Sequence, residues 1–202
     1  ILFMDNSEQD NFKKRIENLG FHVEKGPMDE FPVKRISKSR NKIIDYALAN
    51  NFDYIFFIDT DVLVPKDAIE RFLSHNKKAL CGIYFNTVTH KREKLLIPGV
   101  YKILEGFVSN KELPSMQLIT KQECFTNQLM KVVSCGGGCL FLHKDVFSKI
   151  RFNEDLERCE DRRFCIDLYK ANIQLYCDTS IKAKHFIKNR TYSWNKGKLI
   201  RN

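Results

Sequence analysis

The residues best suited to chemistry are carboxylates at two places, the run Asp59-Thr60-Asp61 and the adjacent pair Glu160-Asp161. Asp59 and Asp61 close the apolar run Tyr54-Ile55-Phe56-Phe57-Ile58, and the carboxyl end of a strand is where open α/β sheets bind ligands. Two carboxylates at such an edge are costly unless positive charge meets them. A Mg²⁺ or Mn²⁺ ion bridging to a diphosphate supplies that charge, because hard cations prefer carboxylate oxygens and share phosphate ligands. Turn and helix-cap chemistry is the plain alternative. Glu160 and Asp161 head a helical stretch, where neighbouring side chains point about 100° apart. One of the two therefore faces a cleft, and we expect it to be Asp161; the alternative is that both only complement the helix N-terminus.

These groups need elements to hold them. Ile1 to Met4 are apolar and run into Asp5-Asn6-Ser7, a strand leading to a helix start, after which Phe12, Ile16 and Leu19 recur at helical spacing up to Gly20. Phe21-His22-Val23 reads as a second strand and residues 26–32 as loop. From Ser39 a helix with Ile43, Ile44, Ala47 and Leu48 on one face leads to the strand at Tyr54, whose unbroken apolar character fits a parallel strand covered on both faces. Pro65 opens a helix carrying Ala68, Ile69, Phe72 and Leu73, and residues 80–85 form another strand. Residues 86–131 read as an insertion over one end of the sheet, with a hairpin within residues 100–108. Val132-Val133 and Leu140-Phe141-Leu142 read as one strand interrupted by Gly136-Gly137-Gly138; Asp145-Val146-Phe147 starts a short helix, a longer one covers residues 161–171, and Ile173 to Tyr176 is the last clear strand. The succession predicts an α/β fold.

The totals bound the partners. A chain of 202 residues fits one core, and no run reaches the roughly 18 apolar residues of a membrane helix. The net charge of +9 and pI near 9.2 suit an anionic partner, and Lys182 to Arg201 is basic throughout, with no acidic residue after Asp178. That segment reads as a solvated basic tail or as a loose contact with phosphate or an acidic membrane face. Nucleic acid is not expected, because the aromatics lie in apolar runs rather than interleaved with arginine. The seven cysteines include no C-x-x-C pair, so most read as core thiols, with Cys135–Cys139 or Cys159–Cys165 as the pairs that could meet.

Ser39-Arg40-Asn41, the helix to Asn50, the strand into Asp59-Thr60-Asp61 and the Pro65-led helix resemble the nucleotide-binding half of family 2 glycosyltransferases. Gly136-Gly137-Gly138-Cys139-Leu140, then Phe152-Asn153-Glu154-Asp155-Leu156, then Glu160-Asp161 and finally His185 match that family's donor-sugar and catalytic stretch in order. The resemblance implies a GT-A fold, with a mixed, mostly parallel Rossmann-like sheet flanked by helices: a nucleotide-binding half over residues 1–85, the insertion, and a donor-sugar and acceptor half over residues 132–202. It implies a nucleoside-diphosphate sugar as donor, UDP-sugar favoured, Mn²⁺ or Mg²⁺ as cofactor, and a glycan, lipid or protein acceptor. The sugar moved would be a hexose or N-acetylhexosamine, with inversion, in the cytoplasm or at the cytosolic membrane face.

Residue by residue, the resemblance puts Arg40 on the diphosphate or base, Asp59 on the ribose and metal, Asp61 on the metal, Gly136, Gly137 and Gly138 on the donor sugar, Asp161 (or Glu160) as general base, and His185 as a third metal or pyrophosphate contact. The glycines otherwise read as a turn or bulge, and His185 as a hydrogen-bonded filler. The family's usual first strand and helix are expected to be missing ahead of Ile1: without them base recognition is incomplete, and with them supplied upstream Asp5, at the end of the strand matching the family's second, is a base or ribose contact. Three other readings compete: a retaining transferase, a haloacid-dehalogenase-type phosphatase with Asp59 as nucleophile, and a non-catalytic nucleotide-binding module.

Overall fold

The computed structural model describes residues 1–90, 93–104, 114–154, 159–187, 190–195 and 198–201, with only the backbone described for residues 87–90, 93–94, 187 and those after it. The chain opens with β1 (Leu2–Asp5), α1 (Asn11–Glu17) and β2 (His22–Lys25), with β1 and β2 paired in parallel. The second helix, α2 (Pro32–Ala49), starts seven residues before the expected Ser39. Pro32 occupies its first turn, where the missing N–H is no loss.

The central sheet contains β3 (Tyr54–Ile58), β5 (Ala79–Ile83), β10 (Leu129–Val132), β11 (Cys139–His143) and β12 (Leu175–Lys182) in the order β10-β12-β5-β11-β3. Strands β5 and β12 pair in parallel, and β11 runs antiparallel between β5 and β3, so β3, β5 and β12 share one direction while β10 and β11 oppose it. The sheet is mixed and flanked by helices, as the α/β reading requires. The buried neighbour of β3 is the antiparallel β11 rather than a parallel strand. The unbroken apolar run therefore misreported both burial and direction: β3 is an edge strand that buries Ile55 and Phe57 and leaves Ile58 exposed, and its neighbour in the sheet runs antiparallel.

Two further differences bear on the site. The glycine run does not interrupt one strand: it is the connection between β10 at one edge of the sheet and β11 near the other. The stretch 86–131 differs at its end, where residues 129–131 belong to the central sheet as part of β10. Before it come the hairpin β6 (Asn86–His90) and β7 (Glu93–Ile97), and a pair made by β8 (Tyr101–Ile103) and β9 (Met116–Leu118). Part of the expected hairpin, residues 105–108, lies outside the described residues, as do Asp155 and Leu156.

Short β4 (Val62–Leu63) follows the Asp59 turn and pairs antiparallel with β13 (Lys184–Ile187). Two more strands, β14 (Arg190–Asn195) and β15 (Lys198–Arg201), extend that sheet. Helix α3 (Ala68–Ser74) buries Ala68 and Phe72, one turn apart, and leaves Ile69 and Leu73 exposed. The short α4 (Lys144–Phe147) follows β11, and α5 (Glu160–Lys170) packs Phe164, Cys165 and Leu168 into the core beside Ile44, Phe57, Leu140 and Leu142. All seven cysteines are free: Cys159 is exposed and six are buried, with Cys165 beside Cys135 rather than Cys159. No helix among the described residues is long and apolar enough to cross a membrane.

Candidate functional site

The site forms where α2, the end of β3, the glycine connection and the start of α5 converge. Helix α2 points Ser37, Arg40, Ile44 and Ala47 to the same buried stripe, at the spacing of successive turns. Ser37 donates to the Asn153 carbonyl, and Asn41 both donates to the Phe152 carbonyl and accepts from its N–H, at 2.8 and 2.9 Å. Phe152, pinned in this way, stacks on Phe164 of α5 with ring centroids 4.3 Å apart. The Arg40 guanidinium lies over the Phe152 ring at 5.1 Å, a favourable placement for a desolvated cation.

Arg40 is 6% exposed. Its Nη2 donates to Asp59 Oδ1 at 3.0 Å, and Nη1, which makes no hydrogen bond among the described residues, faces Glu160 Oε1 at 3.5 Å. Arg40 thus joins the end of β3 to the start of α5. Glu160 is 8% exposed; burial pushes its carboxyl above the ordinary range, Arg40 pulls it down, and Asp161 and Asp59 push it up. Asp161 is half-buried: Oδ1 accepts from the Arg162 N–H at 2.6 Å, and Oδ2 accepts from the Gly137 N–H at 3.3 Å. Of the two acids, Glu160 is the buried counter-ion and Asp161 is the one against the glycine connection.

The glycines leave room for their neighbours. A Cβ on Gly136 would lie 2.1 Å from the Tyr84 hydroxyl, one on Gly137 1.9 Å from Arg40 Nη1, and one on Gly138 2.7 Å from Asp59 Oδ2. Gly138 donates its N–H to the Tyr84 hydroxyl at 3.0 Å and accepts the Asp59 N–H at 3.3 Å. Sequence reasoning missed Tyr84. The signal for it was faint: an aromatic with a polar tip just past a fully buried strand, where such a hydroxyl needs a partner.

Asp61 faces a different partner. Its Oδ2 is 3.2 Å from His185 Nε2, and the two residues are held together because β4 pairs with β13 and the Phe186 N–H donates to the Asp61 carbonyl. His185 Nδ1 is 3.0 Å from the Phe85 carbonyl oxygen, which can only accept, so Nδ1 carries a proton. Nε2 then meets the Asp61 carboxylate either as an imidazolium donor or as a lone pair beside a carboxylate, the arrangement a divalent cation completes. Asp59, by contrast, turns toward Arg40. No group of three or more His, Cys, Asp or Glu side chains among the described residues is placed to hold a metal. A cation here would take Asp61 and His185 from the protein and its other ligands from phosphate and water, as Mg²⁺-type sites do.

Asp5 stands at the end of β1 and is buried. Ser7 donates to its Oδ1 through N–H and hydroxyl, and Lys25 Nζ sits 3.2 Å from Oδ2. The strand end nevertheless borders the site, because the Asn6 side chain accepts from Ser39, the residue before Arg40.

The glycosyl transferase family 2 pattern matches residues 1–151, covering Asp5, Arg40, Asp59, Asp61 and the glycines and ending before Glu160. Among solved structures, one described as the crystal structure of A197 from STIV is similar in fold, with a TM-score of 0.54 and 18% identity over 98% of this chain and 91% of that one. A search of curated proteins returned no match. With three quarters of its length matched, including the Asp59-Thr60-Asp61 turn and the glycine connection, the chain belongs to glycosyl transferase family 2.

Proposed function

We propose that the chain moves a hexosyl or N-acetylhexosaminyl group from a UDP-sugar to an acceptor hydroxyl, with inversion and with a divalent cation, Mn²⁺ or Mg²⁺, at Asp61 and His185. Family membership supports glycosyl transfer; the observation that carries the finer reading is the His185–Asp61 contact. A proton fixed on Nδ1 aims the other ring nitrogen at a carboxylate. The imidazole favours Mn²⁺. Bound there with the donor's diphosphate, the cation supplies charge for the departing phosphate oxygens.

The protein's own groups do the rest. Asp161 takes the acceptor's hydroxyl proton; the oxygen attacks the anomeric carbon, and the bond from that carbon to the diphosphate oxygen breaks, the electron pair leaving with the diphosphate. Gly137 holds Asp161 through its N–H. Glu160 stays on Arg40 as counter-ion, and Arg40 holds Asp59 toward the ribose side of the donor. Residues 1–85 serve the nucleotide, and residues 132–202 serve the sugar and acceptor, which is a glycan, lipid or protein. The basic stretch after Asp178 suits peripheral contact with an acidic membrane on the cytoplasmic side.

A screen of sugar nucleotides for hydrolysis, followed by NMR of the fresh product anomer, tests this reading. Inversion is expected, and a retained anomer would replace the single-displacement scheme.

A further inference from the structure

We infer that Tyr84 is a positioning residue that fixes both aspartates of the Asp59-Thr60-Asp61 turn by two separate routes, Asp59 at its backbone and Asp61 at its side chain. The first route is backbone. The Tyr84 hydroxyl accepts the Gly138 N–H at 3.0 Å, and the Gly138 carbonyl accepts the Asp59 N–H at 3.3 Å. The hydroxyl therefore sets the height of the glycine connection against the end of β3. The second route runs through a side chain. The Tyr84 ring meets the His185 ring edge to face, centroids 5.2 Å apart at 88°, and His185 Nε2 reaches Asp61 Oδ2 at 3.2 Å.

Tyr84 is 6% exposed and sits among Val62, Leu80, Cys139, Phe141, Ile181 and Ala183. Its ring cannot swing away without opening that cluster, so both contacts are made from one rigid body. The fit is close on the other side too, since a Cβ on Gly136 would reach to within 2.1 Å of the hydroxyl oxygen. Burial drives the phenol well above its ordinary range. A shift of this body moves Asp59 and Asp61 together.

The positional half of this inference stands on contacts alone, and its functional half rests on the donor-site reading above. Tyr84→Phe removes the hydroxyl and keeps the ring. In this variant the backbone amide resonances of Gly138 and Asp59 should shift while the melting temperature changes by less than about 5 °C, the size of one lost hydrogen bond in a domain of this length. Mn²⁺-dependent UDP affinity should fall about tenfold, as for one buried hydrogen bond. Tyr84→Leu removes both routes and should also displace the His185 side-chain resonances. Unmoved Gly138 and Asp59 amides in Tyr84→Phe would overturn the positional claim whether or not the protein binds nucleotide. Moved amides with wild-type UDP affinity would overturn its functional half. A wild-type protein that does not bind UDP would instead count against the donor-site reading, leaving the amide shifts to decide the positional one. Should Tyr84→Leu fail to fold, rapid exchange of the Gly138 amide in the wild-type protein would contradict the hydrogen bond directly.

Discussion

Arg40 Nη2 lies 3.0 Å from Asp59 Oδ1, while the same guanidinium faces Glu160 at 3.5 Å. A single cation buried in α2 thus ties the end of β3 to the start of α5, two elements a hundred residues apart in sequence. Arg40 and Glu160 have side-chain exposures of 8% and 10%, and removing one member of such a buried pair costs about 3–5 kcal/mol because the other charge is left uncompensated. Arg40→Met should therefore lower the melting temperature by about 10 °C. Adding Glu160→Gln to it should recover part of the loss. Thermal unfolding of the two variants checks both statements, and a double variant no more stable than Arg40→Met would show that Glu160 is not the partner that matters.

The glycine connection gives a second expectation. Gly137→Ala places a methyl group 1.9 Å from Arg40 Nη1, and overpacking a buried position costs about 1–3 kcal/mol. The same change should disturb the Gly137 N–H that Asp161 accepts. Denaturant unfolding should show the stability loss, and turnover should fall with it. Wild-type stability in Gly137→Ala would mean that Arg40 moves aside freely.

Asp161 and Glu160 should separate in kinetics. Asp161→Asn removes the proposed base, whose contribution is about 10²–10⁴-fold, and should leave donor affinity near wild type. Glu160→Gln should act mainly on stability, through Arg40. Steady-state rates and nucleotide titration of each variant decide; full turnover in Asp161→Asn would move the base elsewhere.

Acid stability should depend on Asp178, in β12. Burial pushes its carboxyl up, but hydrogen bonds from Ser180 and His75 outweigh that and leave it below the ordinary 3.8. A carboxyl lowered on folding stabilises above its unfolded value, and the stabilisation is lost as pH falls below about 3.8 through the folded value. Asp178→Asn should therefore be less stable than wild type at neutral pH, with the gap narrowing as the solution is acidified below that point. Unfolding midpoints measured from pH 6 to pH 2 test the sign.

Much of this site could be read from residue type and order. Asp59-Thr60-Asp61 after an apolar strand, the glycine run and an acidic pair heading a helix are local patterns, and each falls in the site as a local unit. What the sequence hid was mostly pairing between distant elements. Nothing local to β3 distinguishes an antiparallel partner from a parallel one, because an apolar strand can pair in either direction. Nothing in Gly136-Gly137-Gly138 tells a strand interruption from a crossing between sheet edges. The role of Arg40 was partly visible, since it shares a helical stripe with Ile44 and Ala47, which marks a buried arginine in need of counter-charges. Glu160 likewise stands one and two turns before Phe164 and Leu168, on the stripe that faces the core. Tyr84 gave almost no signal, because its contacts are with Gly138 and His185, which only the folded sheet brings to it.

Calorimetric titration of UDP with Mn²⁺, alone and with a chelator, into the wild-type protein and Asp61→Ala reads out the part a cation plays in donor binding. A divalent cation at Asp61 predicts binding to the wild-type protein that the chelator abolishes and that Asp61→Ala weakens at least tenfold, the loss expected when one charged ligand of a cation site is removed. Equal UDP affinity with and without Mn²⁺, or no effect of Asp61→Ala, would contradict it.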